Sequence, residues 1–259
     1  MFEVIILGLL QGLTEFLPVS SSGHLVIAQA FLPHFKGGEL ALDVFLHGGT
    51  LLAVLLWFRG DIVEVLRGLL PGGEPPKRRL AFVLMAASLP VFIIGYLFES
   101  TLTELFSAPG FAASMLLVTG TMLWLSESWG RGSVPLERVG YGRGVLIGFA
   151  QATAILPGIS RSGSTISVAL FAGVKGEDAA RFSFLLSIPA VTGALLYKAL
   201  GMSFASAPIL EYLVGVIVSF GTGLLAIRFL MAAIKRGRLR WFSIYCWALG
   251  MTYLLFVPR

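Results

Sequence analysis

Residues 11–24 read Gln-Gly-Leu-Thr-Glu-Phe-Leu-Pro-Val-Ser-Ser-Ser-Gly-His, and residues 157–165 read Pro-Gly-Ile-Ser-Arg-Ser-Gly-Ser-Thr. Each cluster interrupts an otherwise apolar stretch, about residues 3–32 and 144–174. Proline removes a helical hydrogen bond, and hydrocarbon offers no water to replace it. Broken backbone at membrane depth is tolerated only inside protein or against a watery cavity. Each stretch is therefore expected to be a re-entrant pair of half-helices, and the rest of the chain is read outward from these two breaks.

The composition supports a membrane setting. Of 259 residues, 56% are hydrophobic and only 13% charged, against about 25% charged in a soluble domain. Mean hydropathy is +0.87. These values exclude a disordered chain and a nucleic-acid-binding domain, and they disfavour a soluble enzyme. The net charge of +5 reads as loop charge that orients a membrane protein. The one cysteine, Cys246, allows no internal disulfide and no cysteine metal cage. The N-terminus has no basic leader, and Gln11 and Glu15 interrupt its apolar run, so it is expected to be part of the mature protein.

Crossing a bilayer takes about 20 mostly apolar residues as helix. Six stretches fit: about 43–58, 80–98, 111–126, 182–199, 209–230 and 241–257. The expected fold is thus an all-α polytopic membrane protein, with six transmembrane helices plus the two re-entrant pairs, in one domain over 1–259. Connections 59–79, 127–143 and 235–240 carry 12 of the 19 Lys and Arg residues, Arg131 included, and are expected in the cytoplasm. Connection 99–110 has acids and no base, and 200–208 is uncharged. Threading six spans through these assignments puts both termini outside and inserts the two breaks from opposite faces.

That threading implies inverted repeats, approximately 1–126 and 144–257. At an offset of 140, Gly8, Gln11, Ser20, Ser22 and Gly23 match Gly148, Gln151, Ser160, Ser162 and Gly163, and Ser21 falls against Arg161. Inverted repeats of this kind place a ligand at their interface.

The chemistry follows from the residue types. Serine caps helix starts, so half-helices beginning near Ser20–Ser22 and Ser160–Ser164 would point positive ends at the protein centre, a site for phosphate. Arg161 adds a bidentate cation. Gln11 and Glu15 share one helix face. A carboxylate beside an anion needs a cation between them, and Mg²⁺ or Ca²⁺ on Glu15 and Gln11 would serve. Ser21, His24 and Glu15 together suggest nucleophilic attack on phosphorus with proton handling. Blander readings stand beside these. Ser20 and Ser22 serve equally as caps, Gln11 as a helix bridge, and Ser162 and Thr165 as small contact residues. Glu15 and Arg161 would otherwise be a structural ion pair, but intramembrane charge is usually functional. His34 and His47 read as structural.

These two motifs resemble the bacterial undecaprenyl-diphosphate phosphatase (BacA) family, and the resemblance covers essentially the whole chain. Gln11 through His24 is similar to its Glu/Gln-x-x-x-Glu and Ser-Ser-x-Gly-His elements, and Pro157 through Thr165 to its Pro-Gly-x-Ser-Arg-Ser-x-x-Thr element. The resemblance implies hydrolysis of a polyprenyl diphosphate lipid, recycling of the cell-wall lipid carrier and lowered bacitracin sensitivity. It also implies divalent-metal dependence, an inner-membrane location, a site open to the periplasm and room for a homodimer. Carried over, Glu15 is the catalytic carboxylate, Ser21 the candidate nucleophile, His24 the proton-handling residue and Arg161 the diphosphate anchor. Ser20, Ser22, Ser160, Ser162 and Thr165 are expected to bind substrate. Gln11 is the amide variant of its position and brings a carbonyl oxygen without charge.

Two rival readings share parts of this pattern. Type-2 phosphatidic acid phosphatases share a Ser-Gly-His run, but their Arg-Pro motif and distal histidine are missing here. A transporter or lipid flippase would use the same inverted repeats, yet transport needs no Ser21, His24 and Arg161 constellation.

Overall fold

The computed structural model describes residues 1–31, 40–130, 132–200 and 208–257. In chain order its α-helices are α1 (Phe2–Phe16), α2 (Ser21–Phe31), α3 (Leu40–Trp57), α4 (Arg59–Leu69), α5 (Pro75–Leu97), α6 (Glu99–Leu105), α7 (Pro109–Trp129), α8 (Tyr141–Thr153), α9 (Arg161–Phe171), α10 (Gly176–Leu200), α11 (Ile209–Lys235) and α12 (Arg240–Phe256). Among the described residues there is no strand, only an isolated bridge between Val134 and Val174. His34, Arg131 and most of the connection 200–208 lie outside the described residues.

Among the described residues, four helices are long and apolar enough to cross a membrane: Pro75–Leu97, Pro109–Trp129, Gly176–Ala199 and Ile209–Lys235. The protein is an all-α, multi-pass membrane protein. Four of the six predicted spans fall on these helices. The predicted spans 43–58 and 241–257 fall on α3 and α12, of 18 and 17 residues. At 1.5 Å per residue these measure about 26 Å, short of a hydrocarbon core of about 30 Å. Three of these helices, α5, α7 and α10, start before their predicted spans. Proline opens α5 and α7, where a missing N–H costs nothing, and Glu177 and Asp178 sit at the positive start of α10.

Stretch 59–79, read from sequence as a connection, contains a helix. Arg59–Leu69 folds back on α5. Its charged side hid the helix from a hydropathy reading. Gly72, at φ +82°, makes the reversal in a conformation that favours glycine.

Helix α1 packs along α11, α8 along α5, α7 along α12, and α3 against both α10 and α11. Small residues let the backbones approach. Gly12 lies against Ser219, Thr222 and Gly223, and Gly148 against the backbone of Ala87, with no room for a side chain at either. The end of α1 is anchored by Phe16, whose buried ring meets Phe184 edge-on at 5.7 Å.

Ion pairs fix which helix ends share a face. Arg181 of α10 bonds Asp61 of α4, Lys235 of α11 lies 3.4 Å from Glu177, and Arg240 of α12 lies 3.3 Å from Glu127 at the end of α7. The start of α10, helix α4 and the α11–α12 turn therefore share one end of the bundle. The C-terminal residues of α10 run toward the other.

Candidate active site

Both breaks are built from the same parts. Leu17 leaves α1 in extended geometry. Ser20 then adopts φ +67°, the one non-glycine residue with positive φ among those described. Ser20 Oγ accepts from Gly23 N at 3.2 Å and lies 3.2 Å from Ser22 Oγ. In the second break Ser160 Oγ accepts from Gly163 N at 3.1 Å and lies 3.2 Å from Ser162 Oγ. Ser20 and Ser160 are thus both helix caps. Thr119 Oγ1 holds the second break, donating to Gly158 O at 2.9 Å and accepting from Ser160 N at 3.1 Å.

The breaks meet each other. Ser162 Oγ donates to Leu17 O at 3.3 Å, and a Cβ on Gly23 would come 2.9 Å from Gly158 Cα. The starts of α2 and α9 are therefore neighbours, so two positive helix ends share one region.

Glu15 is the hub of that region. Its Oε2 accepts from Ser21 Oγ at 2.8 Å and from Gln11 Nε2 at 3.1 Å, and its Oε1 accepts from Arg161 Nη2 at 2.9 Å. His47 Nε2 stands 3.9 Å from the same carboxylate. The carboxylate is thus placed to take a proton from the Ser21 hydroxyl, while Arg161 and the helix ends supply positive charge. Among the described residues, four buried side-chain polar atoms make no hydrogen bond: Gln11 Oε1, both amide atoms of Gln151, and Arg161 Nη1. They retain bonding capacity for a polar ligand.

Glu15, Ser20, Ser21, Ser22, Gln151, Ser160 and Arg161 line one cavity of about 380 Å³. Its other walls are apolar, with Val44, Val91, Ile155, Val191 and Leu195 among them, and Phe106 and Lys198 border it. The cavity pairs a polar, cationic floor with greasy walls. It lies along the C-terminal part of α10, away from the ion-paired end.

Gln11 bonds Glu15 but does not line the cavity, and three further predicted site residues lie elsewhere. His24 is turned away from Ser21: Nδ1 is 2.8 Å from Ser20 O and Nε2 is 2.7 Å from Tyr245 Oη. It lines a second cavity on the far side of α1. Ser162 is buried against Leu17 O and Ser160. Thr165 Oγ1 donates to Arg161 O at 2.7 Å and lies 2.6 Å from Ser183 Oγ. Neither Ser162 nor Thr165 lines the cavity of Glu15 and Arg161.

Sequence reading missed His47, Gln151 and Lys198. His47 and Lys198 come from α3 and α10, far along the chain from either motif. Gln151 carried a signal in its match to Gln11.

Fold and site together define a class: a polytopic membrane protein whose internal anion-type site is made by two facing helix breaks and contains a carboxylate, a hydroxyl and a guanidinium. Residues 4–252 match the family described as bacitracin resistance protein BacA, and the chain belongs to that family. It is 47% identical to the undecaprenyl-diphosphatase of Syntrophotalea carbinolica, over 96% of this chain and 95% of the relative. It is 44% identical to that of Desulfatibacillum aliphaticivorans, over 98% and 97%. It is 41% identical to that of Korarchaeum cryptofilum, over 97% of each chain.

Proposed function

We propose that this protein hydrolyses undecaprenyl diphosphate to undecaprenyl phosphate and inorganic phosphate, and so recycles a lipid carrier and lowers bacitracin sensitivity. One observation carries the reading: the Ser21 hydroxyl and the Arg161 guanidinium bond opposite oxygens of Glu15 at the polar floor of an apolar-walled cavity. The prenyl chain lies along the apolar walls and the diphosphate meets the floor.

As Ser21 Oγ attacks the terminal phosphorus, its proton passes to Glu15. The bond to the bridging oxygen breaks and undecaprenyl phosphate leaves. Water then attacks the phosphoserine, giving inorganic phosphate and restoring the hydroxyl. Arg161 keeps one nitrogen on Glu15 and offers the other, Nη1, to the transferring phosphoryl group. His24 acts as a positioning residue, holding the Ser20 carbonyl and with it the turn that presents Ser21.

The donor set also fits a hard divalent cation. Gln11 Oε1 is a buried oxygen without a partner beside the Glu15 carboxylate, and Mg²⁺ commonly uses one or two carboxylates plus substrate oxygens. Glu15 and Gln11 would hold the ion, which would neutralise phosphate charge. The shared build of the two breaks, and the exchange of α1 on α11 for α8 on α5, support inverted repeats with re-entrant half-helices. On that reading the cavity faces the periplasmic side of a bacterial inner membrane.

Purified protein should release phosphate from a long prenyl diphosphate in detergent with Mg²⁺, and far less with chelator. No phosphate release under either condition would leave the transporter reading. For topology, single cysteines at Glu74 and Ser107 should label from opposite faces of the membrane; labelling from one face would sink the repeat arrangement.

A further inference from the structure

On the far side of α1 lies a second and larger cavity, about 680 Å³, within the size range of small-ligand sites. Its walls are the outward face of α1, through Leu13 and Leu17, and the apolar sides of α11 and α12, through Phe229 and Trp241. Its rim is cationic, with Arg236 and Arg238 from the α11–α12 turn, and its lining contains no carboxylate. It opens at the ion-paired end of the bundle, opposite to the catalytic cavity.

The charge at this rim is selective. Four cations lie in the turn. Lys235 faces Glu177, and Arg240 faces Glu127 and stacks over Trp124 at 4.7 Å. Arg236 and Arg238 are exposed and have no carboxylate partner among the described residues. The two uncompensated guanidinium groups are thus the two that border an apolar cavity. Trp241 beside them is 70% exposed, as suits an aromatic ring at the boundary between headgroup and hydrocarbon.

We infer that the α1–α11–α12 groove is a binding site for an anionic phospholipid of the surrounding bilayer, with the lipid phosphate on Arg236 and Arg238 and an acyl chain along Leu13, Leu17 and Phe229. Basic pockets between membrane helices take anionic headgroups in this way. Guanidinium suits a phosphodiester because its planar fork bonds two oxygens at once. The groove requires no substrate, and the site goes beyond the phosphatase reading.

The test is native mass spectrometry of the purified full chain titrated with dioleoyl phosphatidylglycerol or dioleoyl phosphatidylcholine. Wild type should retain one phosphatidylglycerol and discriminate against phosphatidylcholine. The double variant Arg236→Gln, Arg238→Gln should bind phosphatidylglycerol about 30-fold more weakly, a factor of about five for each lost charge near the surface. Leu13→Trp, which fills the groove while leaving both arginines, should also lose the lipid. Phosphate release unchanged within twofold would show each variant folded. Equal retention of the two lipids, or full retention of phosphatidylglycerol by the double variant, would overturn the assignment. Displacement by equimolar farnesyl monophosphate would overturn it too, in favour of a prenyl phosphate occupant.

Discussion

The break at residues 17–20 and the break at residues 154–160 share a skeleton: a preceding helix, a capping serine, a second serine two residues on and a glycine three residues on. At the shared offset Ser21 stands against Arg161, Glu15 against Ile155 and His24 against Ser164. One break supplies the carboxylate and the hydroxyl, and the other supplies the guanidinium. Had both carried the acid, two carboxylates would crowd one anion; had both carried the arginine, Ser21 would be gone and no hydroxyl would meet Glu15. Repetition gives two positive helix ends for charge stabilisation. Divergence at two aligned positions, 15/155 and 21/161, gives the carboxylate, the hydroxyl and the guanidinium.

The sharpest way to break this comparison is at Ser21. If its oxygen attacks phosphorus, Ser21→Ala should lower phosphate release to background while diphosphate binding persists. If water attacks instead, the variant loses only a hydrogen bond worth roughly 0.5–1.5 kcal/mol, about tenfold in rate. Residual turnover within that tenfold would move the first break's role from nucleophile to positioning. Glu15→Gln comes next. It keeps the shape but removes the proton acceptor and the charge that holds Arg161, and turnover should fall by roughly 10²–10⁴. Wild-type turnover in a variant of unchanged thermal stability would leave the carboxylate structural. On the second break, Arg161→Lys should cost at least about tenfold in kcat/KM, because an ammonium cannot bond Glu15 and a phosphoryl oxygen through two fixed nitrogens. Equal kcat/KM in the lysine variant would reduce Arg161 to a point charge.

Much of this was legible before the structure. The breaks and their capping serines follow from proline and serine chemistry, while the pairing of Glu15 with Arg161 stood in the sequence only as the blander alternative to separate roles. What was not legible depended on distances across the bundle. His47 and Lys198 join the cavity from helices far along the chain. His24 sits three residues from Ser21, a spacing that puts both on one helix face, yet its ring is held by Ser20 O and Tyr245 Oη instead. Ser162 and Thr165 carry the right atom types but spend them on Leu17 O and Arg161 O. Helix α4 escaped because an amphipathic helix does not show in a hydropathy sum.

The smallest expected effect separates the two breaks by backbone alone. Ser20 and Ser160 make equivalent caps, but Ser20 holds φ +67° while Ser160 holds φ −72°. Replacing a capping serine by glycine costs only a few tenths of a kcal/mol, and the extra freedom of the unfolded chain costs roughly 0.4–1 kcal/mol more. Ser160→Gly should therefore destabilise by about 1 kcal/mol. At Ser20 the same two costs apply, but glycine also relieves a left-handed conformation that costs a side-chain-bearing residue roughly 1–2 kcal/mol. The terms nearly cancel, so Ser20→Gly should lie near wild type. Thermal denaturation in detergent reads the difference as a lower Tm for Ser160→Gly alone. Equal shifts in both variants would mean that Ser20 carries no backbone strain, and the two breaks would then differ only in the side chains they present.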